Sequence, residues 1–210
     1  VMKQLGPVKA EELRHTWEFW ARPNQIEPTG NHWDIWVALA GRGWGKTRAG
    51  AEWVRHRIRK GDKIVHCVAP TKGDVRRVMV EGDSGLLNVC WKGDKTYRGK
   101  ELGFPEWSPT NNTLTWENGA KAVFFSAEDP ERLRGPQAYS AWCDELCSWR
   151  NAQETWDMLA ESKLANVVSG ADGTHRTSTG ALFGYYMMSI LAVCCSQGRK
   201  RLVTDESDPY

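Results

Sequence analysis

Two stretches of this 210-residue chain carry residue types that could do chemistry together. The first, Ala40-Gly41-Arg42-Gly43-Trp44-Gly45-Lys46-Thr47, has the order of a loop that cradles phosphate. Glycines let backbone N–H groups converge on an anion, so Gly41, Gly43 and Gly45, with Trp44 among them, would line the cradle. Lys46 then offers an ammonium to the β/γ-phosphates and Thr47 a hydroxyl ligand for Mg2+, at a helix start whose dipole favours anions. Ala40 replaces the first glycine of the strict pattern, a difference of one methyl group. The second stretch, Ala138-Tyr139-Ser140-Ala141-Trp142-Cys143-Asp144-Glu145, is a mostly apolar run ending in two carboxylates. In an ATP-hydrolysing site of this kind Asp144 would hold Mg2+ and Glu145 would activate water. The alternative is that Asp144 caps a helix beginning at Glu145.

These residues need a scaffold, and the flanking patterns supply one. Residues 36–40 form a short apolar run fit for a buried strand, and Thr47, Ala51, Val54 and Ile58 recur at helical spacing. Arg48, Glu52, Arg55 and Arg59 fall on the opposite, solvated face, and Gly61 is a helix stop. Residues 63–70 read as a second buried strand, completing a β-α-β unit that would bring Lys72 to the ligand-binding edge of a parallel sheet. Residues 113–117 and 120–125 alternate as strands across Asn118-Gly119, the pair suited to a two-residue type I′ turn. A polar segment, residues 126–137, could place Arg132 or Arg134 near a bound nucleotide. The expected fold is α/β: a P-loop NTPase with a mainly parallel central sheet flanked by helices, plus a β-hairpin insertion.

Bulk composition excludes little. A net charge of +2 neither requires nor excludes nucleic acid, since clustering of Lys and Arg on one face decides that. Arg55/Arg57/Arg59/Lys60, Arg76/Arg77 and Arg199/Lys200/Arg201 are such clusters, although each alone reads as a solvated face. Six cysteines show no zinc spacing and suit a reduced compartment. Residues 181–195 form the one long apolar run, shorter than the roughly 20 residues a bilayer span needs, so no membrane role is expected. Nothing at the N-terminus resembles a secretory signal. Twelve tryptophans read as core and groove fillers.

Three blocks carry a closer resemblance: residues 41–55, residues 126–137 with Leu133-Arg134-Gly135-Pro136 within them, and Ala141-Trp142-Cys143-Asp144-Glu145-Leu146. The chain resembles the ATPase domain of the large terminase subunit, the DNA-packaging motor of tailed bacteriophages and gene-transfer particles, over roughly residues 20–159. The resemblance implies ATP and Mg2+ as cofactors and Arg42 as a γ-phosphate sensor or internal arginine finger. Arg134 resembles an arginine that acts across a subunit interface. Gln25 resembles the glutamine that reads the adenine edge, the alternative being a surface side chain. Implied partners are double-stranded DNA, a portal protein, a small terminase subunit and further copies forming a ring, all in the host cytoplasm.

Past residue 159 the resemblance ends. The family continues into a strand with a Thr-rich coupling motif and then a nuclease domain, and neither is recognisable in residues 160–210. That segment is expected to be a divergent tail, dispensable for the nucleotide site, of a truncated or frameshifted chain whose ATPase domain spans residues 1–159. A helicase-like, nucleic-acid-stimulated ATPase and a nucleotide-binding fragment without turnover remain alternatives.

Overall fold

In a computed structural model, which describes residues 6–29, 35–134, 137–164, 190–195 and 202–204, alternating apolar stretches build one eight-stranded sheet. Its strands are β1 (Ile35–Leu39), β2 (Ile64–Ala69), β3 (Glu106–Ser108), β4 (Thr113–Thr115), β5 (Lys121–Ser126), β6 (Ser140–Cys143), β7 (Ile190–Cys195) and β8 (Leu202–Thr204). The order across the sheet is β3-β4-β5-β2-β6-β7-β1-β8. β2 runs parallel to both β5 and β6, and β1 runs parallel to β8. The other four pairings, β3 with β4, β4 with β5, β6 with β7 and β1 with β7, are antiparallel.

The sheet is therefore mixed, not mainly parallel as expected from the β-α-β pattern. Short connections such as that between β4 and β5 can join only antiparallel neighbours, whereas parallel ones need a crossover. The second cause is β7, which fills the gap between β1 and β6 against the direction of both. Of the segment expected to diverge from the fold, β7 and β8 are thus strands of the sheet, and most of the remainder, including Thr174–Thr179, lies outside the described residues.

The helices are α1 (Pro7–Arg14), α2 (Trp17–Trp20), α3 (Lys46–Lys60), α4 (Lys72–Asp74, continuing as a π-helix over Val75–Val80), α5 (Leu86–Val89) and α6 (Ala152–Leu164). α3 ends where Gly61 takes a left-handed conformation at φ 115°. Side chains alternate across the strands. Trp36, Ala38, Cys67, Phe124 and Trp142 join Ala51, Val54 and Ile58 of α3 in one core, while Val37, Val68, Phe125, Ala141 and Cys143 join Trp156 and Leu159 of α6 in the other. α3 lies close to the sheet because Gly50 has no side chain: a Cβ there would sit 2.3 Å from the buried indole of Trp142.

Two local expectations need correction. Glu52 and Arg55 do not face solvent; both are buried, with the Arg55 guanidinium donating to Asp94 Oδ2 at 2.8 Å and to Glu52 Oε2 at 3.1 Å. Arg57 is buried as well, donating to Asp62 Oδ2 at 2.8 Å. The helical period was right, but a loop 39 residues away closes over the second face. The hairpin is real, yet its turn has three residues, Glu117, Asn118 and Gly119. The Trp116 N–H donates to Ala120 O at 3.0 Å, and only Gly119 of these three has positive φ, at 79°. Asn118 Oδ1 accepts from the Ala120 N–H at 3.0 Å, so a type I turn with a glycine bulge replaces the type I′ turn.

Candidate functional site

β1 delivers the chain to the glycine-rich loop and α3 begins directly behind it, because Lys46 and Thr47 are its first two residues. Gly45 sits at φ 88° as the residue before the helix, a conformation open to glycine without strain. Side-chain atoms added at Gly41 or Gly43 would meet nothing within 4 Å, so the loop presents bare backbone. The Lys46 ammonium lies across it, donating to Ala40 O at 2.7 Å and Gly41 O at 2.9 Å. Partial burial pulls the Lys46 pKa down, while the charges of Asp144 and Glu145 oppose that shift.

The second stretch arrives from β6 beside this loop. Thr47 Oγ1 lies 3.5 Å from Asp144 Oδ2 and donates to it, joining residues 97 apart in sequence. Asp144 is 4% exposed; its N–H donates to Val68 O at 2.9 Å and its carbonyl accepts from Trp149 Nε1 at 2.9 Å. Burial, reinforced by the charge of Glu145, raises the Asp144 pKa to about 7, against the opposing pull of Lys46 and Thr47. The alternative that Asp144 caps a following helix fails. Glu145 occupies the cap position of the short 3-10 turn Leu146–Ser148, and no side-chain cap bond is made.

Glu145 has φ 48° and ψ 48°, the left-handed region that non-glycine residues rarely enter. This bend separates the environments of the two adjacent acids, leaving Asp144 buried and Glu145 exposed. Strained backbone of this kind collects at functional sites.

Gln25 reaches the loop from the N-terminal segment. It is buried; its Oε1 accepts from the Arg22 N–H at 2.9 Å and its Nε2 donates to Trp44 O at 2.6 Å. It is not a surface glutamine. One lone pair and one amide proton remain for another partner. Gln25 also borders a cavity of about 280 Å³ that runs along α3 beside Trp17, Trp53 and His56. Arg22 was missed by sequence reasoning: its Nη2 donates to the same Trp44 carbonyl and its guanidinium lies 5.8 Å from the Trp44 ring centroid. Only its place in Arg22-Pro23-Asn24-Gln25 could have signalled this.

The three remaining candidates stand apart from this cluster. Arg42 is exposed on the loop itself. Arg134 is exposed at the end of the 3-10 turn Pro130–Leu133, with Nε 3.3 Å from Glu131 Oε2 and 3.5 Å from Met158 Sδ. Lys72 is exposed, and its backbone N–H donates to Glu128 Oε2 at 3.1 Å. Among the described residues no group of three His, Cys, Asp or Glu could hold a metal unaided, and no helix is long and apolar enough to cross a membrane.

A buried acid set against a lysine-threonine loop restricts the possible relatives, and a family comparison decides among them. Residues 37–162, more than half of the chain, match the family described as terminase large subunit, T4likevirus-type, N-terminal. The chain belongs to this family. Its role is accordingly phage DNA packaging. The matched span takes in the loop, β2, the hairpin, the Arg134 segment, Asp144, Glu145 and most of α6 of this terminase chain. No curated protein and no solved structure gives a significant match.

Proposed function

We propose that this chain is an ATP-hydrolysing motor domain, a P-loop NTPase that drives double-stranded DNA into a procapsid. The observation that carries the reading is the meeting of the Thr47 hydroxyl with the Asp144 carboxylate at 3.5 Å, beside the Lys46 ammonium on an open glycine loop. That donor set fits Mg2+ and a triphosphate. Asp144 is a buried carboxylate with a raised pKa, so a divalent cation would supply the charge its surroundings withhold. Thr47 and Asp144 would hold the cation, which would supply positive charge against the phosphate groups.

The remaining roles fall to the chain's own groups. Loop N–H groups from Gly41 to Lys46, with Trp44 among them, hold phosphate oxygens, and the Lys46 ammonium leaves the Ala40 and Gly41 carbonyls to meet them. Thr47 and Asp144 position the cation. Glu145, exposed and set at a bend, accepts the proton of the attacking water. Arg42 meets negative charge at the γ-phosphate, and Arg134, on an exposed turn, is placed to serve a neighbouring copy in a ring. Gln25 reads the adenine edge with the amide capacity that Trp44 and Arg22 leave it. Portal and small terminase subunits would be partners of the assembled motor in the host cytoplasm.

Paired substitutions test these roles. Lys46→Ala removes the point charge aimed at the phosphates and abolishes binding of a fluorescent ATP analogue, whereas Glu145→Gln keeps binding and loses phosphate release. Unchanged binding and turnover in Lys46→Ala refutes the phosphate-loop reading.

A further inference from the structure

The end of the sheet remote from the glycine loop carries several exposed cations that have no counter-ion among the described residues. α3 has 15 residues, so its C-terminus lies roughly 21 Å from the loop at 1.5 Å per residue. There the Tyr97 N–H donates to Arg59 O at 3.0 Å, docking the turn that holds Arg98 and Lys100 against the last turn of α3. The Lys121 N–H donates to Lys63 O at 2.9 Å, so the starts of β2 and β5 sit side by side at the same pole. Lys63, Arg98, Lys100 and Lys121 are exposed, and none has an ion-pair partner among the described residues.

The acids nearby are mostly engaged. Asp62 is held by Arg57 at 2.8 Å and by the Ser140 hydroxyl at 2.7 Å, and Glu101 pairs with Lys95 at 2.8 Å. Glu106 and Glu117 are the exposed acids on the hairpin side, and Glu12 and Glu18 approach only the flank near Lys95 and Tyr97. Surfaces ordinarily intersperse charge signs; four unpaired cations from three separate elements, with Glu106 and Glu117 at the hairpin margin, leave an excess of positive charge suited to a polyanion. Arg59 lies over the exposed Tyr97 ring at 4.8 Å, adding a flat, cationic margin.

We infer that this pole meets the phosphate backbone of double-stranded DNA through Lys63, Arg98, Lys100 and Lys121. The inference rests on the reading of the chain as a DNA-handling motor, but it names a surface that the nucleotide site does not share. DNA held there leaves the glycine loop open to nucleotide, and α3 spans the two.

The test is fluorescence anisotropy of a mixed-sequence 30-base-pair duplex with the full chain, over a salt series. The comparison is the combined variant Lys63→Gln, Arg98→Gln, Lys100→Gln, Lys121→Gln. Each lost phosphate contact flattens the log–log salt dependence by about 0.9, so four contacts should flatten it by about 3.6. Thermal unfolding and ATP-analogue binding should stay as in the parent chain. A variant with the parent's slope overturns the assignment of this face while leaving the motor reading intact. A parent chain that ignores duplex DNA at low salt yet hydrolyses ATP overturns the inference too. If poly-L-glutamate outcompetes the duplex at equal charge and the variant loses only that binding, the partner is an acidic polypeptide and the proposal falls.

Discussion

Gly50→Ala should damage this protein although alanine is the best helix former. In an exposed helix the exchange stabilises by roughly 1 kcal/mol. Here the new methyl group would lie 2.3 Å from Trp142 Nε1 and Cε2, atoms of a fully buried ring. Ordinary contact between such atoms begins near 3.5 Å, so α3 and β6 must separate by about 1 Å. Overpacking of this kind costs roughly 1–3 kcal/mol, enough to cancel the helical gain and reverse its sign. The functional effect should exceed the thermal one. α3 carries Thr47 and β6 leads into Asp144, whose contact is already at 3.5 Å, and misplacement by about 1 Å can slow a reaction about 100-fold. Differential scanning fluorimetry and phosphate release at saturating ATP read the two effects, and Trp142→Leu in the same chain should recover part of both. A Gly50→Ala chain that melts higher than its parent and turns over ATP at the parental rate refutes the argument that this glycine sets the distance between loop and acid.

Asp94→Asn leaves the Arg55 guanidinium buried without its main counter-charge and should cost about 3–5 kcal/mol in a urea titration. A loss below about 1 kcal/mol would show that Glu52 alone suffices. Asp144 has its folded pKa raised to about 7 from an ordinary value near 4, so the folded chain binds the extra proton and stability falls as pH rises through that window. Asp144→Asn should therefore flatten this part of the stability profile without added Mg2+, and a profile identical to the parent's would contradict the assignment. Gln25→Ala removes one of two donors on the Trp44 carbonyl and the acceptor of the Arg22 N–H, so it should lower stability in thermal unfolding by about 0.5–1.5 kcal/mol and also weaken ATP-analogue binding to the folded chain; lost stability with unchanged analogue binding would mean a purely structural role. Ending the chain after Leu164 removes β7 and β8 and bares both edges of β1 and one edge of β6, so light scattering should detect aggregation, and a soluble monomer would show that the two strands are expendable.

The glycine loop, the helix behind it and the Asp-Glu pair were legible in sequence because their determinants are local. Glycine spacing, a 3.6-residue apolar period and an apolar run ending in acids report on neighbours within about one turn or strand. The same locality explains the failures. Glu52 and Arg55 have the spacing of a solvated face, and nothing within α3 says that Asp94 will cover them. Asn118-Gly119 favours a two-residue turn, but the chain closes a three-residue one, with the Trp116 N–H on Ala120 O and the Ala120 N–H on the Asn118 side chain. What tertiary structure alone decided is the meeting of distant parts: Thr47 with Asp144, Gln25 and Arg22 on one carbonyl, and the antiparallel β7 between β1 and β6. Sequence determined which groups could do the chemistry; packing across the sheet, where Gly50 meets Trp142, decided that they stand within reach of one another.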